Sequence, residues 1–192
     1  MWAKVESGSV TEIYTRPKPI TIGDVQYPKN IFELWSEAEL KAIGIYIVEI
    51  DNTNLKDKEY YYNTNQTFNF ASDKVTASYG SATAKKLADY SETVGENTTN
   101  FSGLKTIRKN NINSDAAALL EKHDWMSIRE AEGGTAMPSN IKTWRASIRT
   151  KANAMCNQIA SANDVDALKS LYVYNDQDPP VRPLGEFPVE PS

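Results

Sequence analysis

Pro138 to Ile159 reads PSNIKTWRASIRTKANAMCNQI, and this stretch decides the character of the C-terminal half. Ile141, Trp144, Ile148, Met155 and Ile159 recur at helical spacing, so they share one stripe of a helix with about 3.6 residues per turn. Pro138 or Ser139 suits the opening of that helix, since a proline's missing N–H is no loss there. Gly133-Gly134 breaks any helix on its N-terminal side. Before the break, Asp124-Trp125-Met126-Ser127-Ile128-Arg129 sets Trp125 and Ile128 at a spacing that suits burial, and Ser114 can cap a helix holding Ala116 to Leu120. Beyond the long helix, Asp164 opens a short one carrying Val165, Leu168 and Leu171. Past Tyr174, five of the nine prolines fall between Pro179 and Pro191, which predicts a semi-rigid extended arm over residues 175–192, free to engage a partner.

The N-terminal half reads as strands. Trp2 to Val5 and Val10 to Thr15 flank the polar loop Glu6-Ser7-Gly8-Ser9, and Pro17 and Pro19 stop the ladder. Ile20-Thr21-Ile22, Gly23-Asp24 and Val25-Gln26-Tyr27 form a second hairpin pattern, ended by Pro28. Ser36-Glu37-Ala38-Glu39 fits a capping box: the serine hydroxyl serves one free amide and the glutamate three positions on serves another. The short helix it starts presents Leu40 and Ile43 and stops at Gly44. Ile45 to Ile50, IYIVEI, is a buried strand by its β-branched and aromatic content. From Asn52 to Asn69, aromatic residues alternate in part with polar ones, predicting a hairpin that turns near Asn63-Thr64-Asn65, with Val75 to Tyr79 as a further strand or the hairpin's extension. In Tyr60-Tyr61-Tyr62 strand alternation turns at least one ring outward. Residues 81 to 90 take a helical pattern, and Glu92 to Gly103 reads as a linker.

The expected fold class is therefore α+β. A strand-rich module of short hairpins plus one short helix spans 1–80, a helix and linker 81–103, a helical module 104–174, and the proline-rich arm 175–192.

Composition narrows function. The chain has 192 residues, a formal charge of −4, and 40% hydrophobic against 24% charged residues, enough apolar material for a core. No run of Lys and Arg exceeds two residues, which argues against nucleic acid as a partner. The only cysteine, Cys156, makes no internal disulfide, and with the only histidine, His123, it falls short of a four-ligand zinc site. The start, MWAKVESGSV, has neither a basic leader nor an apolar run, so no secretion signal and no membrane insertion are expected. The glycosylation patterns at Asn65, Asn97 and Asn100 then read as chance in an Asn/Thr-rich chain.

Catalytic constellations are not expected. Cys156 lies at the edge of the apolar stripe, where a small buried hydrophobe is the ordinary reading, and His123 sits among charges as a solvated or capping residue. Glu130 with Glu132, and Asp164 with Asp166, do not face each other at that spacing on a helix. Phosphate-binding glycine loops are missing, and neither cofactor nor metal is expected. Arg145 and Arg149, four apart, would make a carboxylate-binding edge opposite the apolar stripe, or simply a solvated face.

Two segments carry a resemblance. Pro19-Ile20-Thr21-Ile22-Gly23-Asp24-Val25-Gln26-Tyr27-Pro28, followed by Leu34-Trp35-Ser36 and Glu39 to Ile45, resembles the N-terminal part of small tailed-phage tail proteins. His123 to Glu132, then Pro138, then Trp144-Arg145-Ala146-Ser147-Ile148-Arg149, is similar to a module of phage tail fibre assembly chaperones and related tail proteins. That module has an Asp-Trp segment before a proline and an aromatic-Arg-x-x-x-Arg helix. Here Trp144 stands where tyrosine is more frequent, and His123 where threonine is common. The resemblance implies a non-enzymatic bacteriophage protein that binds tail fibre or baseplate proteins, as a departing chaperone or a virion-retained adaptor. Its place would be the virion tail, or the host cytoplasm during assembly, with self-association left open. Partner binding is then expected at Trp125, Arg129, Trp144, Arg145 and Arg149, the tryptophans also suiting a core. The alternative is a carbohydrate-binding module on the virion surface, carried by Tyr61, Tyr62 and the asparagines beside them.

Overall fold

The computed structural model describes residues 1–191 and is α+β, a strand-rich N-terminal half followed by a helical C-terminal part. The chain divides into two compact units, Met1–Thr83 and Ala84–Ser192.

The first unit is built on β1 (Trp2–Glu6), β2 (Ser9–Tyr14), β5 (Ile45–Asp51), β7 (Gln66–Ala71) and β8 (Lys74–Tyr79). They form one five-stranded sheet in the order β2-β1-β5-β8-β7, parallel between β5 and β8 and antiparallel elsewhere. The edge strands β2 and β7 also approach each other, curling the sheet around one apolar face. That face buries Ala3, Val48, Val75 and Ala77, with Val5, Ile13, Tyr46, Phe68 and Phe70 packed against them. Period-two alternation sends Trp2, Tyr14 and Ile45 to the other face. There the hairpin of β3 (Ile20–Ile22) and β4 (Val25–Tyr27) and the short helices α1 (Ile31–Leu34) and α2 (Glu37–Ala42) contribute Ile20, Ile31, Phe32 and Leu40.

Local chemistry explains these elements. Ser7 and Gly8, at φ 50° and 77°, make the tight β1–β2 turn, whose left-handed residues match the twist of the strands. The Ser36–Glu39 capping box starts α2, and Gly44, at φ 78°, follows its last cap, Ile43. The aromatic-rich hairpin turns at Ser72-Asp73 rather than near Asn63-Thr64-Asn65. Both turn residues are left-handed, and the Asp73 carboxylate holds the turn by accepting from Lys41 Nζ at 3.0 Å and Tyr46 Oη at 3.1 Å. Tyr61–Tyr62 forms β6, paired with β9 (Thr83–Ala84); Tyr60 and Tyr61 are buried and Tyr62 turns outward.

In the second unit the expected helix and linker of residues 81–103 is replaced by a hairpin of β10 (Tyr90–Val94) and β11 (Asn97–Phe101). β-branched residues favour strands, and this pair is stitched by Thr93–Thr98 and Ser91–Asn100 hydrogen bonds and by Tyr90 stacked on Phe101. Helix α3 (Leu104–Glu121) begins well before Ser114. Its start is capped by tertiary contact: Leu104 and Lys105 amides donate to the Lys86 and Leu87 carbonyls, and Gly103 N–H donates to Asp89 Oδ1 at 2.7 Å. Gly103 is required there, since a Cβ would collide with the Ala88 backbone.

Helix α4 (Asp124–Ala131) is followed by α5 (Ser139–Ser161), which packs on α3, and α6 (Val165–Ser170), capped by the Asp164 carboxylate on Ala167 N–H. Ile141, Trp144, Ile148, Met155 and Ile159 are all buried on α5, as their stripe predicts. The arm after Tyr174 has neither helix nor strand but is not free. It folds back on α5, burying Leu184 completely.

Candidate functional site

The second unit sorts the five expected binding residues into three environments. Trp144 is in the core: its ring meets His123 edge-on at 5.6 Å, and its indole Nε1 donates to the Pro188 carbonyl at 3.0 Å. Arg145 is also interior, only 5% exposed, contrary to the expectation of a surface edge. The carboxylate it binds belongs to its own chain: it donates to Asp124 Oδ1 at 2.6 Å and to the Leu120 carbonyl at the end of α3. A guanidinium suits this position because its fan of N–H groups serves a carbonyl and a carboxylate together, and burying the charge unpaired would be costly. Arg149, one turn on, stays exposed and does not join Arg145 in one edge.

Trp125 and Arg129 remain at the surface on α4, a helix with no buried residue. The spacing of Trp125 and Ile128 suggested burial, yet they are 53% and 59% exposed. Arg145 fixes one end of α4 through Asp124. Arg129 lies across the Trp125 ring, 4.9 Å from its centre, while its Nε donates to the Thr135 carbonyl at 2.9 Å. Gly133, at φ 83°, turns the chain out of the helix, and Gly134 N–H returns to the Arg129 carbonyl. Glu130 ties the following segment down by accepting from Met137 N–H and Lys142 Nζ, which hold its carboxyl below the usual range. The result is a short helix held at both ends, with an indole and an isoleucine facing solvent and a half-buried guanidinium across the indole. Aromatic residues and arginine are the types enriched at protein interfaces.

The other candidates have structural occupations. His123 is largely enclosed rather than solvated and pairs with Glu190 at 2.8 Å, lowering the Glu190 pKa. Cys156 Sγ lies 3.7 Å from Asn113 Oδ1. Of the tyrosine run, Tyr62 alone is well exposed, and the neighbouring Asn63 side chain is engaged by Lys56 N–H and the Lys56 carbonyl. Among the described residues no cluster of three His, Cys, Asp or Glu could hold a metal ion, and no helix is long and apolar enough to cross a membrane.

Ile128 is the binding candidate that sequence reasoning assigned to the core. The signal against burial was the surrounding polarity: Asp124, Ser127, Arg129 and Glu130 leave α4 no continuous apolar stripe. No family model, curated protein or solved structure matches the chain.

Proposed function

We propose that this chain is a non-enzymatic bacteriophage tail protein that binds a tail fibre or baseplate protein through α4. The observation that carries the reading is the exposed pair Trp125 and Ile128, with Arg129 half-buried across the indole, on a helix pinned at both ends. Such a surface buries apolar area on contact and loses little side-chain entropy, because Arg129 already orders the indole. The resemblance of His123 to Arg149 to tail fibre assembly modules supplies the class of partner. Asp124 and Arg145 then act as positioning residues for Trp125.

The test is mass spectrometry of purified particles beside the infected-cell lysate, quantifying this chain against the major tail subunits. Near-stoichiometric presence in particles makes it a fibre adaptor. Presence only in lysate, bound to a fibre protein, makes it a departing assembly chaperone. Recovery apart from every tail protein in both samples contradicts the proposal.

A further inference from the structure

The hairpin of β10 and β11 stands alone: among the described residues neither strand has a second neighbour, and every residue of β11 is exposed. A two-stranded ribbon with no buried face is marginal in water, and a further strand is what ordinarily stabilises it. Its register fixes which backbone groups are on offer. Val94 pairs with Asn97 across Gly95-Glu96, with Gly95 at φ 64°, so a two-residue turn makes Val94 and Asn97 a mutually hydrogen-bonded pair. Alternation along the ladder then turns Asn97, Thr99 and Phe101 toward β10, and points the N–H and C=O of Thr98 and Asn100 outward. On β10 the outward groups are those of Ser91 and Thr93.

The two edges differ in charge. β10 carries Glu92 between its outward residues, with the Lys86 ammonium 3.9 Å from that carboxylate and 3.8 Å from the Tyr90 ring centre, and charge on an edge guards against further pairing. β11, Asn97-Thr98-Thr99-Asn100-Phe101, has no charge, no proline and no glycine. Elsewhere β2 and β7 approach each other, and β3, β4, β6 and β9 are shorter strands. Self-pairing separates the two edges further. Antiparallel pairing of β11 with a second β11 about Thr99 sets Thr98 opposite Asn100 on both sides of the axis, and each such pair exchanges both of its bonds. On one face Thr99 then meets Thr99, a favourable cross-strand pair, and on the other the hydrogen-bonded Thr93–Thr98 and Ser91–Asn100 rows run on into the second copy. The same operation on β10 about Glu92 sets one glutamate against another. The two α3 helices leave from opposite ends of the shared sheet, since the strands run in opposite directions. We infer that the outer edge of β11 is a self-association site whose occupant is β11 of a second copy, joined about a two-fold axis at Thr99 into one continuous antiparallel sheet. This does not rest on the α4 reading.

Sedimentation of the full-length chain tests this, beside Thr98→Pro, which deletes an outward amide of β11, and Thr93→Pro, which deletes the matching amide of β10. Wild type and Thr93→Pro should show a concentration-dependent dimer, and Thr98→Pro should dimerise at least tenfold more weakly. A wild type that is monomeric across its soluble range, or a Thr98→Pro that dimerises as well as wild type, overturns the inference. If both prolines abolish the dimer by breaking the hairpin, single cysteines in a Cys156→Ser chain decide. Residues directly opposite in a non-hydrogen-bonded pair stand about 4.5 Å apart at Cα, within the span a disulfide bridges. Thr99→Cys should therefore oxidise to a linked dimer at least tenfold faster than Glu92→Cys, and equal rates overturn the inference.

Discussion

Trp144 and Arg145 follow one another on α5 and are both buried, whereas Trp125 and Arg129, one turn apart on α4, make a solvent-facing stack. The same residue types serve opposite ends. The difference lies in what the polar atoms meet. The Trp144 indole finds the Pro188 carbonyl and Arg145 finds Leu120 and Asp124, so both are enclosed without losing a hydrogen bond. Over the half-exposed Trp125 ring lies Arg129, and that cation is itself engaged by Thr135. An arginine or tryptophan is therefore available to a partner here only where the chain's own arm and helices leave it uncovered.

The contrast breaks most easily at Trp144. Trp144→Ala should cost about 3–5 kcal/mol in urea-induced unfolding, and a cost below about 1 kcal/mol would place it with the surface pair. Leu184→Ala should follow at about 2–3 kcal/mol, the lower part of the range for buried leucine because the arm can shift to fill the void. Arg145→Met should cost about 1–3 kcal/mol by orphaning the Leu120 carbonyl while the half-exposed Asp124 turns to water. Trp125→Ala should change stability by no more than about 0.5 kcal/mol, yet weaken the proposed complex with a tail fibre or baseplate protein at least tenfold.

The smallest effect is pH-dependent. Glu190 sits below its ordinary pKa of 4.5 because His123, first, and Lys122 favour its charged form. A depressed carboxylate contributes stability that is present above the unfolded value and lost as pH falls through the folded one. The arm's hold at His123 should therefore weaken as pH falls below about 4.5 and Glu190 takes up its proton. Glu190→Gln should remove that acid step from the Trp144 fluorescence profile.

What the sequence disclosed and what it hid divide along the same line. The Ser36 capping box, the Gly23-Asp24 turn, the Asp164 cap and the α5 stripe were legible because each is decided within one or two turns of chain. The start of α3 was not, because Gly103 has no capping side chain and its neighbouring amides are served by Lys86, Leu87 and Asp89. Nor was the β7–β8 turn, which asks a serine and an aspartate to take left-handed backbone while glycine-free asparagines nearby offered the stronger turn signal. The burial of Arg145 depends on a carbonyl at the end of another helix, and the docking of the arm on one leucine among prolines. Trp144 and Arg145, two of the five expected binding residues, lie in the interior for that reason: side-chain spacing describes a helix face but not what lies across from it.

The most direct measurement is isothermal titration of a tail fibre or baseplate protein, the partner proposed above, with wild type and Trp125→Ala, alongside their thermal melts. Trp125→Ala should keep an unchanged melting temperature and lose at least tenfold in affinity, about 1.4 kcal/mol or more. Full affinity in Trp125→Ala at an unchanged melting temperature would contradict the assignment of α4 as the recognition surface.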